Sequence, residues 1–224
     1  MKEDLIVYNR PKSIISEGIR TLRTNLQFAA AGDKLKSILL TSSMPGEGKS
    51  FISSNLALAF AQNGSKTLIV DCDLRRGRQH KIFEVDNSKG LSNLLINSRM
   101  EKDFEDYIVY TNIEDVFLLP RGSVPPNPSE LLASDSCKKL MRILENEFDM
   151  IIYDGVPVSG LTDALIMSKL VDKTIIVCAV KETESEALLN TKKALLNVEA
   201  SVAGVVVNKI PANTKTYSDK YYIN

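Results

Sequence analysis

The octapeptide at residues 43–50 constrains the fold of this chain more than any other stretch. It reads Ser-Met-Pro-Gly-Glu-Gly-Lys-Ser, follows an apolar run at 37–41 and precedes a helical pattern from Phe51 to Ala61. A strand, a glycine-containing loop and Lys-Ser at a helix start form a phosphate-binding loop, whose backbone N–H groups converge on phosphate oxygens. We therefore predict that Lys49 reaches the β- and γ-phosphates and that the Ser50 hydroxyl binds Mg²⁺.

Carboxylates follow two further apolar runs. Asp71 and Asp73 come after residues 66–70, and Asp154 comes after residues 150–153. Ligands bind at the carboxyl edge of open α/β sheets, so we expect Asp154 to hold the Mg²⁺ shell. We expect the Asp71 strand to neighbour the loop strand, and Asp71 or Asp73 to accept a proton from an attacking hydroxyl. Three nearby arginines would stabilise phosphate charge or bind an acidic substrate: Arg75, Arg76 and Arg78.

Strand and helix patterns alternate along the chain. This order predicts an α/β fold, a doubly wound and mostly parallel sheet with helices on both faces. Met1 to Pro11 lacks periodicity and is predicted as an extended arm, and residues 1–210 are predicted as one domain with a flexible tail at 211–224. Strands are expected at 36–41, 66–71, 116–120, 148–154, 173–180 and 203–208, and helices at 13–30, 51–61, 90–97, 129–147, 161–170 and 183–198.

Composition excludes several classes of protein. The 28 basic and 28 acidic residues balance, so bulk charge gives no reason to expect a nucleic-acid partner. The three cysteines are scattered, which favours free thiols in a reducing compartment. His80 is the only histidine, which argues against a histidine-based triad or a multi-histidine metal site. No apolar run reaches the roughly 20 residues that a membrane span needs.

A charged triplet in the first predicted helix and a cluster of tyrosines near the C-terminus each allow two interpretations. Glu17, Arg20 and Arg23 are spaced by three along one flank of the first predicted helix, where they form either a solvated face or an interface. Three of the seven tyrosines fall in the last eight residues, at Tyr217, Tyr221 and Tyr222. They are either phosphate acceptors or rings that pack back on the domain.

Together these stretches resemble the bacterial tyrosine kinases of capsule and exopolysaccharide systems, the CpsD/CapB-like proteins. Residues 43–50 are similar to that family's Walker A motif, residues 71–76 to its second aspartate motif and residues 151–154 to its Walker B motif. The Glu17, Arg20 and Arg23 spacing is similar to its oligomerisation motif, and the terminal tyrosines to its autophosphorylated cluster. A further stretch at 122–132 also matches, so the resemblance covers nearly the whole chain.

The resemblance implies the P-loop NTPase fold of the deviant-Walker, MinD-like group, and ATP and Mg²⁺ as cofactors. It implies transfer of the γ-phosphate to tyrosine, in trans on the tails of neighbouring subunits in a ring oligomer and on other proteins. It also implies a cytoplasmic kinase that a transmembrane modulator of the polysaccharide co-polymerase type recruits to the plasma membrane, regulating capsule synthesis and export. The implied nucleotide ligands are Pro45, Gly46, Glu47, Gly48, Lys49, Ser50, Phe51 and, at adenine, Asn208; the implied catalytic residues are Lys49, Asp71, Asp73 and Asp154, with Ser50, Asp71 and Asp154 at the metal.

The chain departs from the family at two places, and two rival functions remain. Gly155-Val156-Pro157 stands where the family has Thr-Pro-Pro, and Gly77 stands where proline is common.

One rival is a partition or septum-site ATPase, but such proteins carry an extra lysine at the position of Met44. The other rival is a non-catalytic ATP-binding scaffold for polymer export, against which the intact Lys49 and aspartates argue.

Overall fold

A twisted sheet organises the chain in a computed structural model that describes residues 2–29 and 35–211. Seven strands pair within those residues, in the order β3-β4-β2-β5-β1-β6-β7. All pairs are parallel except β3 with β4. The strands are β1 (Ser37–Ser42), β2 (Thr67–Asp71), β3 (Val109–Ile113), β4 (Val116–Leu119), β5 (Met150–Pro157), β6 (Lys173–Ala179) and β7 (Val202–Asn208).

Helices cover both faces of the sheet, which confirms the predicted doubly wound fold. Leu39 faces one core and its neighbours Ile38 and Leu40 face the other, as expected for a strand buried on both sides. The first four helices pack on the Ile38 side and the later ones on the other. They are α1 (Ile6–Asn9), α2 (Ile14–Ala29), α3 (Lys49–Ala61), α4 (Gln79–Phe83), α5 (Leu91–Leu95), α6 (Met100–Asp103), α7 (Pro128–Ala133), α8 (Asp135–Glu147), α9 (Asp163–Ser168) and α10 (Ser185–Asn197).

The prediction of an extended N-terminal arm is wrong. Residues 2–9 form a short 3₁₀ turn and α1, and the side chains of Leu5 and Val7 are buried in the core. Asn55 on α3 holds the segment: its side-chain oxygen accepts the Val7 N–H at 2.9 Å, and its amide donates to the Asp4 carbonyl at 2.8 Å. The first residues are therefore fixed to the helix that follows the phosphate-binding loop.

Four other predictions of secondary structure and strand order need correction. The helix expected at 129–147 is two helices, because Ser134 is extended and its side chain caps α8 by accepting the Cys137 N–H. Strand β5 continues three residues beyond Asp154, and a short antiparallel strand, β3, was not predicted. The Asp71 strand does not neighbour the loop strand either, since β5 lies between β2 and β1.

The prediction of free cysteines is confirmed, and all three are buried. At the start of α2, the Ser13 hydroxyl accepts the Ser16 N–H at 3.1 Å and caps the helix. None of the helices in the described ranges has the length and apolar character that a bilayer crossing requires.

Candidate active site

The loop between β1 and α3 has the backbone of a phosphate cradle. Gly46 and Gly48 have φ values of 85° and 98°, a left-handed backbone conformation that residues with a Cβ atom rarely adopt. Helix α3 then begins at Lys49, so its free N–H groups point toward the loop. Ser43, which stands where the strict motif has glycine, is buried, and its hydroxyl oxygen accepts the Thr191 hydroxyl at 3.0 Å. The backbone conformation of the loop therefore agrees with its interpretation as a phosphate-binding loop.

Lys49 is held at the inner side of this loop. Its side chain is 8% exposed, and Nζ donates to the Ser42 hydroxyl oxygen at 2.9 Å. Burial lowers the pKa of Lys49, while the charges of Asp154, Asp73 and Glu47 act in the opposite direction. The ammonium group thus sits among carboxylates, in a place where an incoming phosphate would add negative charge.

Asp71 and Asp154 lie side by side on paired strands. They occupy opposite positions in the β2–β5 register, and both are fully buried. Gln79, at the start of α4, connects them: its backbone N–H donates to Asp71 Oδ2 at 3.0 Å and its amide donates to Asp154 Oδ2 at 2.8 Å. Burial raises the pKa of both carboxyls, and the charge of Asp154 raises the pKa of Asp71 further.

These two carboxyls fit a divalent cation. The Oδ1 atoms of Asp71 and Asp154 are buried and have no hydrogen-bond partner among the described residues, and the nearby Ser50 hydroxyl acts to lower the pKa of Asp154 against the effect of burial. A hard cation such as Mg²⁺ prefers oxygen ligands and is usually bound by one or two carboxylates together with water and substrate phosphates. The described ranges contain no group of three or more His, Cys, Asp or Glu side chains that could hold a metal ion, so a cation here would depend on these two carboxyls together with water and phosphate oxygens.

Asp73 lies nearer to solvent than the other two carboxylates. It lines the cavity beside the loop, and its Oδ1 accepts the backbone N–H groups of Arg75 and Arg76. Arg75 is directed by two residues outside the motif, since its guanidinium pairs with Asp163 at 3.3 Å and contacts Ser129. Arg76 is exposed and also lines the cavity.

The cavity beside the loop has a volume of about 430 Å³. The third arginine, Arg78, also lines it and lies 3.9 Å from Asp4, so the N-terminal segment contributes to the rim. Of the predicted nucleotide ligands, six are in the lining: Pro45, Gly46, Gly48, Lys49, Ser50 and Phe51.

Two predicted nucleotide ligands, Glu47 and Asn208, lie behind the loop rather than in this lining. The Asn208 amide donates to the Glu47 carbonyl at 2.9 Å, and a Cβ at position 48 would approach that amide to 2.0 Å. Gly48 is therefore required twice, by its backbone angle and by Asn208.

The two family departures have steric explanations. A Cβ at Gly77 would lie 2.3 Å from Asp71 Oδ1, and a Cβ at Gly155 would lie 2.8 Å from the Leu40 carbonyl oxygen. Neither position has room for a larger residue unless the aspartate or β1 moves. Glycine at both positions thus preserves the placement of the buried carboxylates.

The remaining predicted residues lie outside the cavity. Glu17 and Arg20 form an ion pair on α2, while the Arg23 guanidinium donates to the Ala59 carbonyl at 2.9 Å. Tyr217, Tyr221 and Tyr222 lie outside the described residues. Sequence reasoning missed Gln79 and Asp163, because a single glutamine or aspartate outside a motif gives no signal of its contacts.

Comparison with known proteins identifies the family. The model of the AAA domain family matches residues 35–203. The putative tyrosine-protein kinase CapB of Staphylococcus aureus is 38% identical over 97% of this chain and 94% of its own length. The tyrosine-protein kinase YwqD of Bacillus subtilis is 36% identical over 93% of this chain and 86% of its own length. The chain belongs to the bacterial tyrosine-protein kinase family.

Solved structures agree with this assignment. The chimerical protein CapA2B2 superimposes on the kinase with a TM-score of 0.88 and 41% identity, covering 93% of this chain and 91% of that one. The septum site-determining protein MinD of Pyrococcus horikoshii, at 23% identity and a TM-score of 0.62, shares the fold alone and covers 77% of this chain and 70% of its own. Some longer relatives are tyrosine-protein kinases of which this chain spans only 29–30%.

Proposed function

We propose that this kinase transfers the γ-phosphoryl group of ATP to tyrosine hydroxyls, first of all on the C-terminal tail of a second copy. The observation that carries the proposal is a convergence at one edge of the sheet: Lys49, Ser50 and Asp73 line one cavity, and the buried Asp154, paired with Asp71 on the next strand, lies close enough to act on the pKa of Lys49. Phosphoryl transfer needs a triphosphate cradle, a cation site and a group that orients the nucleophile, and each of these has a candidate here.

The triphosphate binds the backbone N–H groups of the loop and the Lys49 ammonium. Ser50, Asp71 and Asp154 would hold Mg²⁺, which would supply positive charge next to the transferred group. Gln79 keeps the two buried carboxyls in place by donating one hydrogen bond to each. Because the Asn208 amide nitrogen donates to Glu47, the amide oxygen remains as an acceptor for the adenine amino group.

Asp73 orients the tyrosine hydroxyl or accepts its proton. Of the second-motif carboxylates it is the one that lines the cavity, whereas Asp71 is fully buried. Two backbone N–H groups fix its carboxylate, so its contribution is chiefly to position the attacking oxygen. Arg76 at the rim supplies positive charge where the phosphoryl group crosses to its acceptor.

The family supports a proposal for the biological setting. Relatives carry names from capsule systems, and in longer relatives the matching region is part of a larger protein. We therefore propose a cytoplasmic kinase with residues 1–210 as its domain, recruited to the plasma membrane by a transmembrane modulator and regulating capsule or exopolysaccharide synthesis and export. A ring of subunits, with Glu17, Arg20 and Arg23 at its interfaces, would present each tail to a neighbouring active site.

Replacing Tyr217, Tyr221 and Tyr222 by phenylalanine should remove most self-phosphorylation, because the change deletes the acceptor hydroxyls and leaves the active site intact. The measurement is incubation with γ-labelled ATP and Mg²⁺, with and without the modulator's cytoplasmic peptide, followed by phosphoamino-acid analysis. Tyr110→Phe is the matched control, since Tyr110 is exposed on the edge strand β3 and outside the tail. Undiminished labelling of the triple variant would place the acceptors elsewhere, and no labelling of the wild type would favour the scaffold alternative.

Changing Arg20 and Arg23 together to alanine should reduce the particle mass measured by light scattering, because both cations of the proposed interface are lost. Arg23 also donates to α3, so Arg20→Ala alone separates an interface effect from local packing. Arg99→Ala is the control, since it removes another exposed ion pair between neighbouring helical turns. An unchanged mass in the double variant would make the Arg20 flank a solvated face.

A further inference from the structure

The side chain of Glu47 points away from the cavity, although the residue lies within the phosphate-binding loop. Its carboxylate is 2% exposed. One oxygen, Oε2, accepts the backbone N–H of Met44 at 2.8 Å, and the other, Oε1, accepts the Thr183 hydroxyl. Glu47 therefore joins the first half of its own loop to a residue more than 130 positions later in the chain.

Thr183 is oriented for this contact by its own backbone environment. Its hydroxyl oxygen accepts the Ala179 N–H at 2.8 Å, so its single proton is available for Glu47. The Thr183 N–H also donates to the Ala179 carbonyl at 3.0 Å, which closes a turn directly after β6. The hydroxyl thus has a fixed direction before it meets the carboxylate.

Two more contacts tie the loop to the same part of the chain. The Asn208 amide donates to the Glu47 carbonyl at 2.9 Å, and the Thr191 hydroxyl donates to Ser43 at 3.0 Å. All three ties come from residues 183–208, which include α10 and β7. The unit formed by β6, α10 and β7 therefore holds the phosphate-binding loop through hydrogen bonds on the side away from the cavity.

The chemistry of the position requires a carboxylate. Both oxygens of Glu47 accept, one from an N–H and one from an O–H, whereas an amide would direct its NH₂ group at one of those donors. A buried carboxylate is costly unless it is hydrogen-bonded, and here two donors and the nearby Lys49 charge offset that cost. A carboxylate so close to the triphosphate site would otherwise repel the phosphates. The two hydrogen bonds that it accepts behind the loop explain why this position has an acidic residue.

We propose that Glu47 is a positioning residue: its carboxylate, held by Thr183, keeps the Met44 side of the loop in the conformation that receives the triphosphate. The inference rests on the proposed ATP-dependent function. Without the Thr183 hydroxyl, the loop spends less time in this conformation, and the apparent affinity for nucleotide falls by the same factor. Chemistry after binding is unaffected, because the cation ligands and Asp73 do not contact this pair.

The test is Thr183→Val, which keeps the shape of the side chain and removes the hydroxyl. We expect the dissociation constant of a fluorescent ATP analogue and the KM for ATP to rise about tenfold, the effect of a tenfold smaller competent population, with kcat within about twofold. Thr183→Ser should restore both constants. Glu47→Gln, which keeps one acceptor, should also raise KM and provides a second variant if Thr183→Val folds poorly.

Thr111→Val is the matched control. The Thr111 hydroxyl is buried and donates to the Val116 carbonyl on the opposite edge of the sheet, so its loss affects stability without touching the loop. Equal nucleotide affinity in wild type and Thr183→Val, or an equal loss in Thr183→Val and Thr111→Val, would overturn the positioning role. Wild-type protein that binds no ATP would instead overturn the proposed function itself.

Discussion

Lys49→Met is expected to abolish tyrosine phosphorylation while leaving the fold intact. The Lys49 ammonium is the buried cation on the inner side of the loop, where the β- and γ-phosphates would lie. A fixed positive group that stabilises the charge developing in the transition state, in a site shielded from water, raises the rate by about 10²–10³. Weaker binding of the triphosphate adds to this loss. We therefore expect at least about a thousandfold less labelled tyrosine with γ-labelled ATP.

The fold should tolerate this change. Methionine is similar in length and unbranched, and it removes the cost of burying the ammonium, which is the largest influence on the pKa of Lys49. The lost attraction to Asp154, Asp73 and Glu47 acts in the opposite direction and offsets that gain. Ser42, which loses a donor, still donates to the Met44 carbonyl at 2.7 Å. Thermal unfolding should therefore be close to that of the wild type, and the exposed Lys192→Met should leave both stability and activity unchanged. A folded Lys49→Met protein that still phosphorylates its own tail would refute the assignment of the loop.

The strands of this kinase were predictable because buried parallel strands are almost continuously apolar. Residues 37–41 and 150–153 are such runs, and both are strands. The order of the strands was not predictable in the same way. Placing β5 between β1 and β2 depends on which helices cover which face, and no short stretch of sequence encodes that choice. The expectation that the Asp71 strand adjoins the loop strand failed for this reason.

The motif residues of the site were predictable, whereas the residues that orient them were not. Loop, lysine and aspartates stand in contiguous patterns whose spacing carries the chemistry. Gln79, Asp163 and Thr183 act through contacts that span 8 to 136 positions of sequence. Their types are common on any surface, so only the fold distinguishes them. The buried N-terminal segment failed similarly, since its partner is the polar Asn55 rather than a periodic apolar face.

Asp71→Asn should stabilise the nucleotide-free protein at neutral pH and yet inactivate it. Burial and the charge of Asp154 raise the pKa of Asp71 well above its ordinary value of 3.8. A carboxyl whose pKa is raised by folding stabilises the fold below its unfolded pKa, and that contribution is lost as pH rises through the folded pKa. The wild-type free energy of unfolding should therefore decline as pH rises from about 4, the unfolded pKa of aspartate.

Asparagine keeps the shape of Asp71 and an oxygen for the Gln79 N–H, but it carries no charge. The part of the pH-dependent decline that comes from Asp71 should disappear, while the part that comes from the raised pKa of Asp154 should remain. The midpoint at pH 7 should rise by about 2–4 °C, the shift that about 1 kcal/mol gives in a domain of this size. Phosphorylation should fall about a hundredfold or more, since the proposed cation site loses a charged ligand.

Magnesium and a non-hydrolysable ATP analogue should reverse the order of stability. A ligand that binds only the folded state stabilises it in proportion to its affinity, and the wild type, with both carboxylates, binds the metal complex more tightly. Wild-type unfolding midpoints should therefore rise above those of Asp71→Asn once both are added. Should the variant be less stable than the wild type without ligand, the buried pair would be a structural hydrogen-bond network rather than a site strained for a cation. The unpartnered Oδ1 atoms of Asp71 and Asp154 argue for the cation.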